Sequence, residues 1–481
     1  MTSRLPSAPW KICPSSFEMD PLPLKQIADF AEATLEQGDG ETIVHAVRTD
    51  SRTIKPGELF LALRGDRFDG HKFIAEVAAR GAAGAVVERA WNGTLPSPAF
   101  ALLRADDALV AYQTLAANYR KSLSLKVLAI TGSNGKTSTK DFAASIFGRG
   151  FRVTKTEGNF NNHVGLPRTI LEGSRDDQFA VWELGMNHPG EIAALARIAS
   201  PDAAIITNVG AAHLEFMGSI EAIAREKGAL AEAVARSGFV VLNADDSFGE
   251  SLAKRTRARV IFAGIEKGSI RAVEVKQTAR GAEFTIVEDS HRARATMPVA
   301  GKHMVQNALL AVAAGRAFGI SLEECAIGLA ATPLTKARLQ IREIHGVQFI
   351  DDSYNANPDS MKAALRTLTE LAGAGKRIAI LGQMFELGAE SRKGHREVGE
   401  AAAALEVDHL IAIGDEDIAS AARAAGLERA TVARDPKAAA QMLAEFVRPG
   451  DFVLVKGSRS ARTERVLEEF ARPRAGGEVQ P

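Results

Sequence analysis

Cysteine is nearly absent: Cys13 and Cys325 are the only two, far apart in the chain. That argues against a disulfide framework or a cysteine-built zinc site and fits a reducing compartment. An excess of one charge is missing as well, because 59 Lys and Arg face 59 Asp and Glu. Nothing therefore points to a nucleic-acid groove or an anionic membrane surface, and an anionic ligand has to be met by local residues. No apolar run approaches the ~20 residues that cross a bilayer. Met1 to Asp20 carries Arg4 and scattered prolines but no apolar stretch of the secretory kind. The expectation is a cytoplasmic protein without nucleic-acid partner or membrane insertion, with either Met1 or Met19 as its start.

What is present is the balance of an ordinary globular protein, 46% hydrophobic and 25% charged. A chain of 481 residues allows about three domains at roughly 150 residues each. Three blocks separate by pattern, giving an α/β fold of three domains. Residues 19–122 hold short apolar runs such as ELFLALRG and GAAGAVVE among Ala-rich helices, a small α/β unit. Residues 123–334 repeat short apolar runs ending in polar residues or glycine, namely QFAVWELG, AAIITNVG and GFVVLNADD, each leading into a helix. That is the cadence of a buried parallel sheet. Residues 335–481 repeat it again with VQFIDD, RIAILGQM, HLIAIGD and DFVLVKGS, a Rossmann-like doubly wound unit. In such sheets ligands bind beyond the strand carboxyl ends, where Asp351, Asp352, Gly382, Gly414 and Lys456 stand.

The second block opens on VLAITGSNGKTSTK, an apolar strand running into a Gly-Lys-Thr turn and then a helix. This is how a chain builds a cradle for nucleotide phosphates. Backbone N–H groups around Gly132, Asn134 and Gly135 can face phosphate oxygens, Lys136 can reach the β- and γ-phosphates, and the Thr137 hydroxyl can sit on Mg²⁺. The pattern G-x-x-x-x-G-K-S/T is not fully met, since Ile130 stands where its first glycine belongs. An ordinary βα turn with a surface lysine is the plain alternative.

Glu183 ends the strand in QFAVWELG, where a carboxylate can complete a Mg²⁺ shell begun by Thr137 and phosphate. His213 follows another strand, and Lys227 lies on the helix in EAIAREKGAL. A capped loop histidine and a surface lysine are the plain readings of those two, revised only by their shared setting. Clustered amides in KTEGNFNNHVGLP offer uncharged donors and acceptors suited to a sugar or amide substrate, although turn formation alone explains them too.

Taken together these segments resemble the Mur ligases, the ATP-dependent amide-forming enzymes of peptidoglycan precursor synthesis. The resemblance spans nearly the whole chain after Met19. TDSRTIKPGELFLALRGDRFDGHKFI is similar to the family's UDP-sugar domain, which implies that Ser51, Arg52, Asp69, Gly70 and His71, with Asn159 and Asn162, lie near the UDP-sugar. TGSNGKTS resembles the family's own form of the ATP loop, which implies Gly132, Ser133, Asn134, Gly135, Lys136, Thr137 and Ser138 on ATP. ELGMNHPGEI, DDSYNANPDSM and GQMFELG, in that order, resemble the branch that adds D-alanyl-D-alanine to UDP-N-acetylmuramoyl-tripeptide, and the DNPR motif of the diaminopimelate-adding branch is absent.

The resemblance implies Asn307, Arg338 and Asp352 on the nucleotide, and Tyr354, Asn355, Asn357, Lys456, Ser458 and Arg459 on the dipeptide side. It further implies Lys136, Glu183, His213 and Lys227 as the catalytic set. Two Mg²⁺ ions would be held by Thr137, Glu183, His213 and Lys227, the last as its CO₂ adduct, in a monomer. The chain departs from the family pattern at Met304, at Ala337 where glycine commonly precedes the arginine, and after Arg459, where a methionine is missing. Another amide ligase of the same superfamily and a nucleotide-binding scaffold without turnover remain as alternatives. Lys136 is expected to be half exposed.

Overall fold

Strand Lys126–Thr131 alternates between two cores, Val127 and Ala129 packing to one face and Leu128 and Ile130 to the other, as the period-two geometry of a doubly covered strand demands. A computed structural model describes residues 18–65, 68–333 and 335–472. The start at Met1, Cys13 and the boundary residue Leu334 lie outside them.

The fold is α/β, with one large sheet in each of three successive regions. The first has five strands in the order Thr34–Gln37, Ala101–Ala105, Gly84–Glu88, Leu59–Leu61 and Val47–Arg48. Only the edge strand Thr34–Gln37 runs antiparallel to its neighbour. Helix Ala108–Ser122 leads out of it, capped by Asp107 accepting from Val110 N–H. Its Tyr112, Leu115 and Tyr119 are buried in one cluster with Leu166, Trp182 and Leu195 of the next region.

The second sheet has nine strands. Val153–Lys155, Phe179–Glu183, Lys126–Thr131, Ala203–Ile206, Phe239–Asn243, Arg259–Gly264 and Ile270–Thr278 run parallel in that order. Gly281–Glu288 and His291–Met297 then add antiparallel. The parallel part follows the sequence cadence. The sheet's far end does not, because Ile270–Thr278 and His291–Met297 alternate buried and exposed residues instead of forming apolar runs. Helix Lys302–Ala317 is buried on nearly every side, from Met304 through Gly315, and packs on helix Lys136–Phe147. Close approach to helix Lys136–Phe147 is steric: a Cβ on Gly315 would lie 3.0 Å from Ile146, and one on Gly328, in helix Leu322–Ala330, would lie 2.6 Å from the Ile146 Cα.

The third sheet has six strands in the order Gln340–Ile344, Val347–Asp352, Phe452–Lys456, Arg377–Gly382, His409–Ile413 and Ala430–Ala433, with only the first antiparallel. Strand Lys126–Thr131 sits between Phe179–Glu183 and Ala203–Ile206, so the chain diverges on either side of it and opens a crevice at its carboxyl end. Among the described residues no helix is long and apolar enough to cross a membrane.

Candidate active site

The turn Gly132–Gly135 is glycine-bound by geometry. Gly132 has φ 150° and Gly135 φ 79°. A Cβ on the first would lie 1.8 Å from Thr207 Oγ1 and on the second 2.4 Å from Asn307 Oδ1. The turn is braced from the next loop: Ser133 N–H donates to Asn208 O at 3.0 Å, and Asn134 N–H to Asn208 Oδ1 at 2.9 Å. Those two donors are thereby spent within the protein. The first-turn N–H groups of helix Lys136–Phe147 have no intrahelical partner by construction, and its positive end faces the crevice.

Lys136 is part-buried rather than half exposed, because its Nζ folds back to donate to Gly132 O at 2.8 Å. Burial pushes its pKa below the usual lysine value, with Glu183 opposing that shift. The Thr137 hydroxyl donates to Glu183 Oε2 at 2.9 Å, and Asn161 Nδ2 donates to Glu183 Oε1 at 2.8 Å. Glu183 and Thr137 are both buried. Adjacent ligands of an octahedral Mg²⁺ at about 2.0–2.1 Å stand about 2.9 Å apart, so the Thr137–Glu183 spacing suits that ion once the hydroxyl proton turns away from the carboxylate. One carboxylate and one hydroxyl, with the rest left to phosphate and water, is also the donor set Mg²⁺ prefers.

The third sheet's region closes over this turn. Arg338 Nη2 donates to Thr137 Oγ1 at 3.1 Å, its guanidinium lies 4.2 Å from the Tyr354 ring centroid, and its Nε is buried without a partner. An orphaned cationic donor beside the turn fits an anion. Ala337 and Leu339, flanking it, are held at φ 59° and 51°. Asn357 caps helix Pro358–Leu371 in a capping box with Ser360, while its Nδ2 donates to Asn134 Oδ1 at 2.7 Å. Asp352, expected on the nucleotide, is instead paired with Lys456, expected on the dipeptide, at 2.5 Å; Lys456 Nζ also donates to Asn355 O at 2.9 Å. Ser458 Oγ donates to Ala356 O at 3.2 Å. Arg459 is exposed and 3.5 Å from Glu464.

Ser133, Asn134, Lys136, Thr137, Glu183, Arg338, Asp352, Asn355, Asn357, Lys456 and Ser458 line one cleft of about 940 Å³, whereas Gly132 is not on its wall. Gly135, Ser138, Asn159, Asn162, His213, Asn307, Tyr354 and Arg459 also line it. Asn307 reaches Met304 Sδ at 3.8 Å, so the unusual methionine becomes its neighbour. Asn162 is occupied as a turn cap, accepting from Val164 and Gly165 N–H. His213, at φ 59°, donates through Nδ1 to Glu386 at 2.6 Å, and that bond holds the Glu386 carboxyl below its ordinary pKa.

Lys227 is not on the cleft wall. It is 1% exposed, and its pKa is driven well below the lysine value by burial and by the nearby Lys136. Neighbouring Glu226 is committed elsewhere, accepting from Gly190 and Ile192 N–H at 2.8 Å each.

Ser51, Arg52, Asp69, Gly70 and His71 are not brought to this cleft. Ser51 is buried. Arg52 forms a forked pair with Asp50, which pulls the Asp50 carboxyl down to about 2. His71 donates through Nδ1 to Asp69 at 2.6 Å and accepts Glu88 N–H through Nε2 at 3.0 Å. Both ring nitrogens are therefore used internally. Gly70 allows close packing, since a Cβ there would lie 2.8 Å from Leu63 O.

The cleft includes residues that the sequence motifs left without a role: Asn161, Asn208, Glu386, Asp359 and His303. His303 is pushed down to about 4 by burial, with Asp352 opposing. Asp359 accepts Ala211 N–H at 3.2 Å. Asn161 was visible in the amide cluster, but its pairing with Glu183 was not.

Three sequence profiles match the chain: "Mur ligase family, catalytic domain" over residues 43–120, "Mur ligase middle domain" over 130–315, and "Mur ligase, glutamate ligase domain" over 337–459. The UDP-N-acetylmuramoyl-tripeptide--D-alanyl-D-alanine ligase of Bacillus subtilis is 36% identical, over 93% of this chain and 98% of that protein. The Escherichia coli protein of the same name is 35% identical over 92% and 97%. Among solved structures, MurF from Acinetobacter baumannii superposes with TM-score 0.87 at 33% identity, covering 94% of this chain and 99% of that one. MurF ligase from Thermotoga maritima in complex with ADP gives TM-score 0.80 at 29% identity over 89% and 97%.

Proposed function

The chain belongs to the Mur ligase family, and from that premise we propose that it joins D-alanyl-D-alanine to UDP-N-acetylmuramoyl-tripeptide, giving the pentapeptide precursor of peptidoglycan. It is an ATP-dependent amide ligase that releases ADP and phosphate. The observation that carries this reading is the set Lys136, Thr137, Glu183 and Arg338 around one turn and one cleft.

A carboxylate is a poor acyl donor, so the tripeptide's terminal carboxylate oxygen first bonds to the γ-phosphorus while the bridging P–O bond to ADP breaks. The dipeptide nitrogen then bonds to the acyl carbon, the C–O bond to phosphate breaks, and the amine gives up a proton. Positioning and charge neutralisation carry such transfers. Lys136 would leave Gly132 O for the transferring phosphoryl group, and Arg338 would offer its unpartnered Nε. Asn161 would hold Glu183 in orientation. When bound, Mg²⁺ at Thr137 and Glu183, and a second ion at His213, would neutralise phosphate and carboxylate oxygens.

Lys227 would join the second site as its CO₂ adduct, R–NH₂ + CO₂ → R–NH–COO⁻ + H⁺, which needs the neutral amine that its burial favours. A carbamate carbon resonance in ¹³CO₂-equilibrated protein, lost in Lys227→Ala, tests this; its absence from the active, metal-loaded enzyme removes the adduct. The first sheet's region, with Ser51, Arg52, Asp69, Gly70 and His71, would take the UDP-sugar. The dipeptide would bind beside Tyr354, Asn355, Asn357, Lys456, Ser458 and Arg459. The enzyme would act as a cytoplasmic monomer.

Phosphate release is measured with ATP, Mg²⁺ and UDP-N-acetylmuramoyl-tripeptide, comparing D-alanyl-D-alanine with single amino acids. Release that requires the dipeptide is expected. Release driven only by diaminopimelate, lysine or glutamate would assign another branch, and ATP binding without release would leave a scaffold.

A further inference from the structure

His213 and Glu386 are both non-glycine residues in left-handed backbone, at φ 59° and 64°. Such a conformation is strained for a residue with a Cβ and persists where the surroundings enforce it. The two meet at one 2.6 Å hydrogen bond across 173 positions of sequence.

The surroundings of Glu386 are fully tied down. Gln383 Nε2 donates to Gly414 O at 3.0 Å, Met384 N–H to Nε2 of buried His395 at 2.9 Å, and Phe385 N–H to Ser458 Oγ at 3.1 Å. Leu387 is buried. Glu215 N–H, from the helical turn after His213, donates to Glu386 O at 3.2 Å. Gly388, at φ 56°, lies so close to that turn that a Cβ would stand 3.0 Å from Glu215 Cα. The GQMFELG segment is thus a strut anchored in the third region, with one carboxylate reaching the second region's histidine.

We propose that Glu386 is a positioning residue delivered by closure of the third region: its carboxylate accepts the Nδ1 proton of His213 and fixes the tautomer whose Nε2 lone pair is free to ligate a divalent cation. The inference rests on the metal-ligating role given to His213 above. An imidazole whose distal N–H is held by a carboxylate is both oriented and more basic as a ligand. Because the two residues sit on different sheets' regions, the ligand is complete only when those regions are together. Closure and readiness for phosphoryl transfer are then a single event.

The test uses the full chain with ¹⁵N-labelled histidine, Mn²⁺ or Mg²⁺, a non-hydrolysable ATP analogue and UDP-N-acetylmuramoyl-tripeptide. Wild type is expected to show His213 as the Nδ1–H tautomer. Glu386→Ala and Glu386→Leu should lose that signature and weaken the second Mn²⁺ by about 10–100-fold, with the first ion unchanged. Glu386→Gln retains an acceptor and should restore the tautomer. The Glu386 side chain is 43% exposed, so the variants should melt like wild type. An unchanged His213 tautomer in both Ala and Leu variants would overturn the proposal. A wild-type chain that binds one Mn²⁺ and is indifferent to His213→Ala would instead overturn the metal role of His213, and the tautomer signal would still decide for or against Glu386.

Discussion

Asn161→Ala removes one hydrogen bond and nothing else near the reacting groups. Asn161 Nδ2 donates to Glu183 Oε1 at 2.8 Å, while the other oxygen of that carboxylate keeps the Thr137 hydroxyl at 2.9 Å. A hydrogen bond to a charged group is worth about 1.5–3 kcal/mol, which at 1.36 kcal/mol per decade is about 10- to 150-fold. If the bond orients Glu183 toward Mg²⁺, the whole loss falls on metal affinity, matching the 10–100-fold typical of such outer partners. Phosphate release is followed as a function of free Mg²⁺, with calorimetric Mn²⁺ binding alongside. The half-saturating Mg²⁺ concentration should rise by that factor, and kcat at saturating Mg²⁺ should stay within about threefold. A variant with normal metal affinity but a kcat lowered a hundredfold at every Mg²⁺ concentration would refute the reasoning, because Asn161 would then be touching substrate and not orienting a ligand.

Lys136→Ala should abolish turnover while the melting profile is retained, since that side chain's one internal bond is to Gly132 O; near-normal activity contradicts its role. Ala337→Gly should raise stability by about 1 kcal/mol, because Ala337 holds φ 59° where glycine bears no Cβ penalty; a fall in urea midpoint at constant m-value would count against it. Gly135→Ala, at φ 79° and 2.4 Å from Asn307 Oδ1, should weaken ATP by about tenfold or more through about 1–2 kcal/mol of backbone strain plus the clash, and unchanged nucleotide binding by calorimetry would show that the turn can shift aside.

The glycine turn ahead of Lys136 was readable in sequence because all its parts are contiguous: strand, glycines, lysine, threonine and helix lie within fourteen residues, Val127 to Lys140. Strand-end Glu183 was equally legible, since a buried parallel strand ends where a ligand sits. The antiparallel extension from Gly281 to Met297 was not, because a half-exposed strand such as His291–Met297 mixes Arg292 and Arg294 with buried Ala293 and Ala295. Pairings between distant segments were also hidden. The bonds of Asn357 to Asn134 and of Glu386 to His213 depend on two sheets meeting, and no local pattern encodes that. His71 shows the converse: its motif was plain, yet both ring nitrogens are satisfied within its own region.

Helix Lys302–Ala317 carries Asn307 against the Gly132–Gly135 turn while most of its other residues, from Met304 to Gly315, form the interior of the second region. A compound in the cleft that lies against Asn307 and Gly135 would therefore press on a surface with little freedom to mutate. Enlarging a neighbour there collides with the glycine turn, and shrinking one opens a void costing about 2–5 kcal/mol. Escape from such an inhibitor by substitution along that helix would be paid in folded protein, which makes this wall a better target than the exposed Arg459 end of the same cleft.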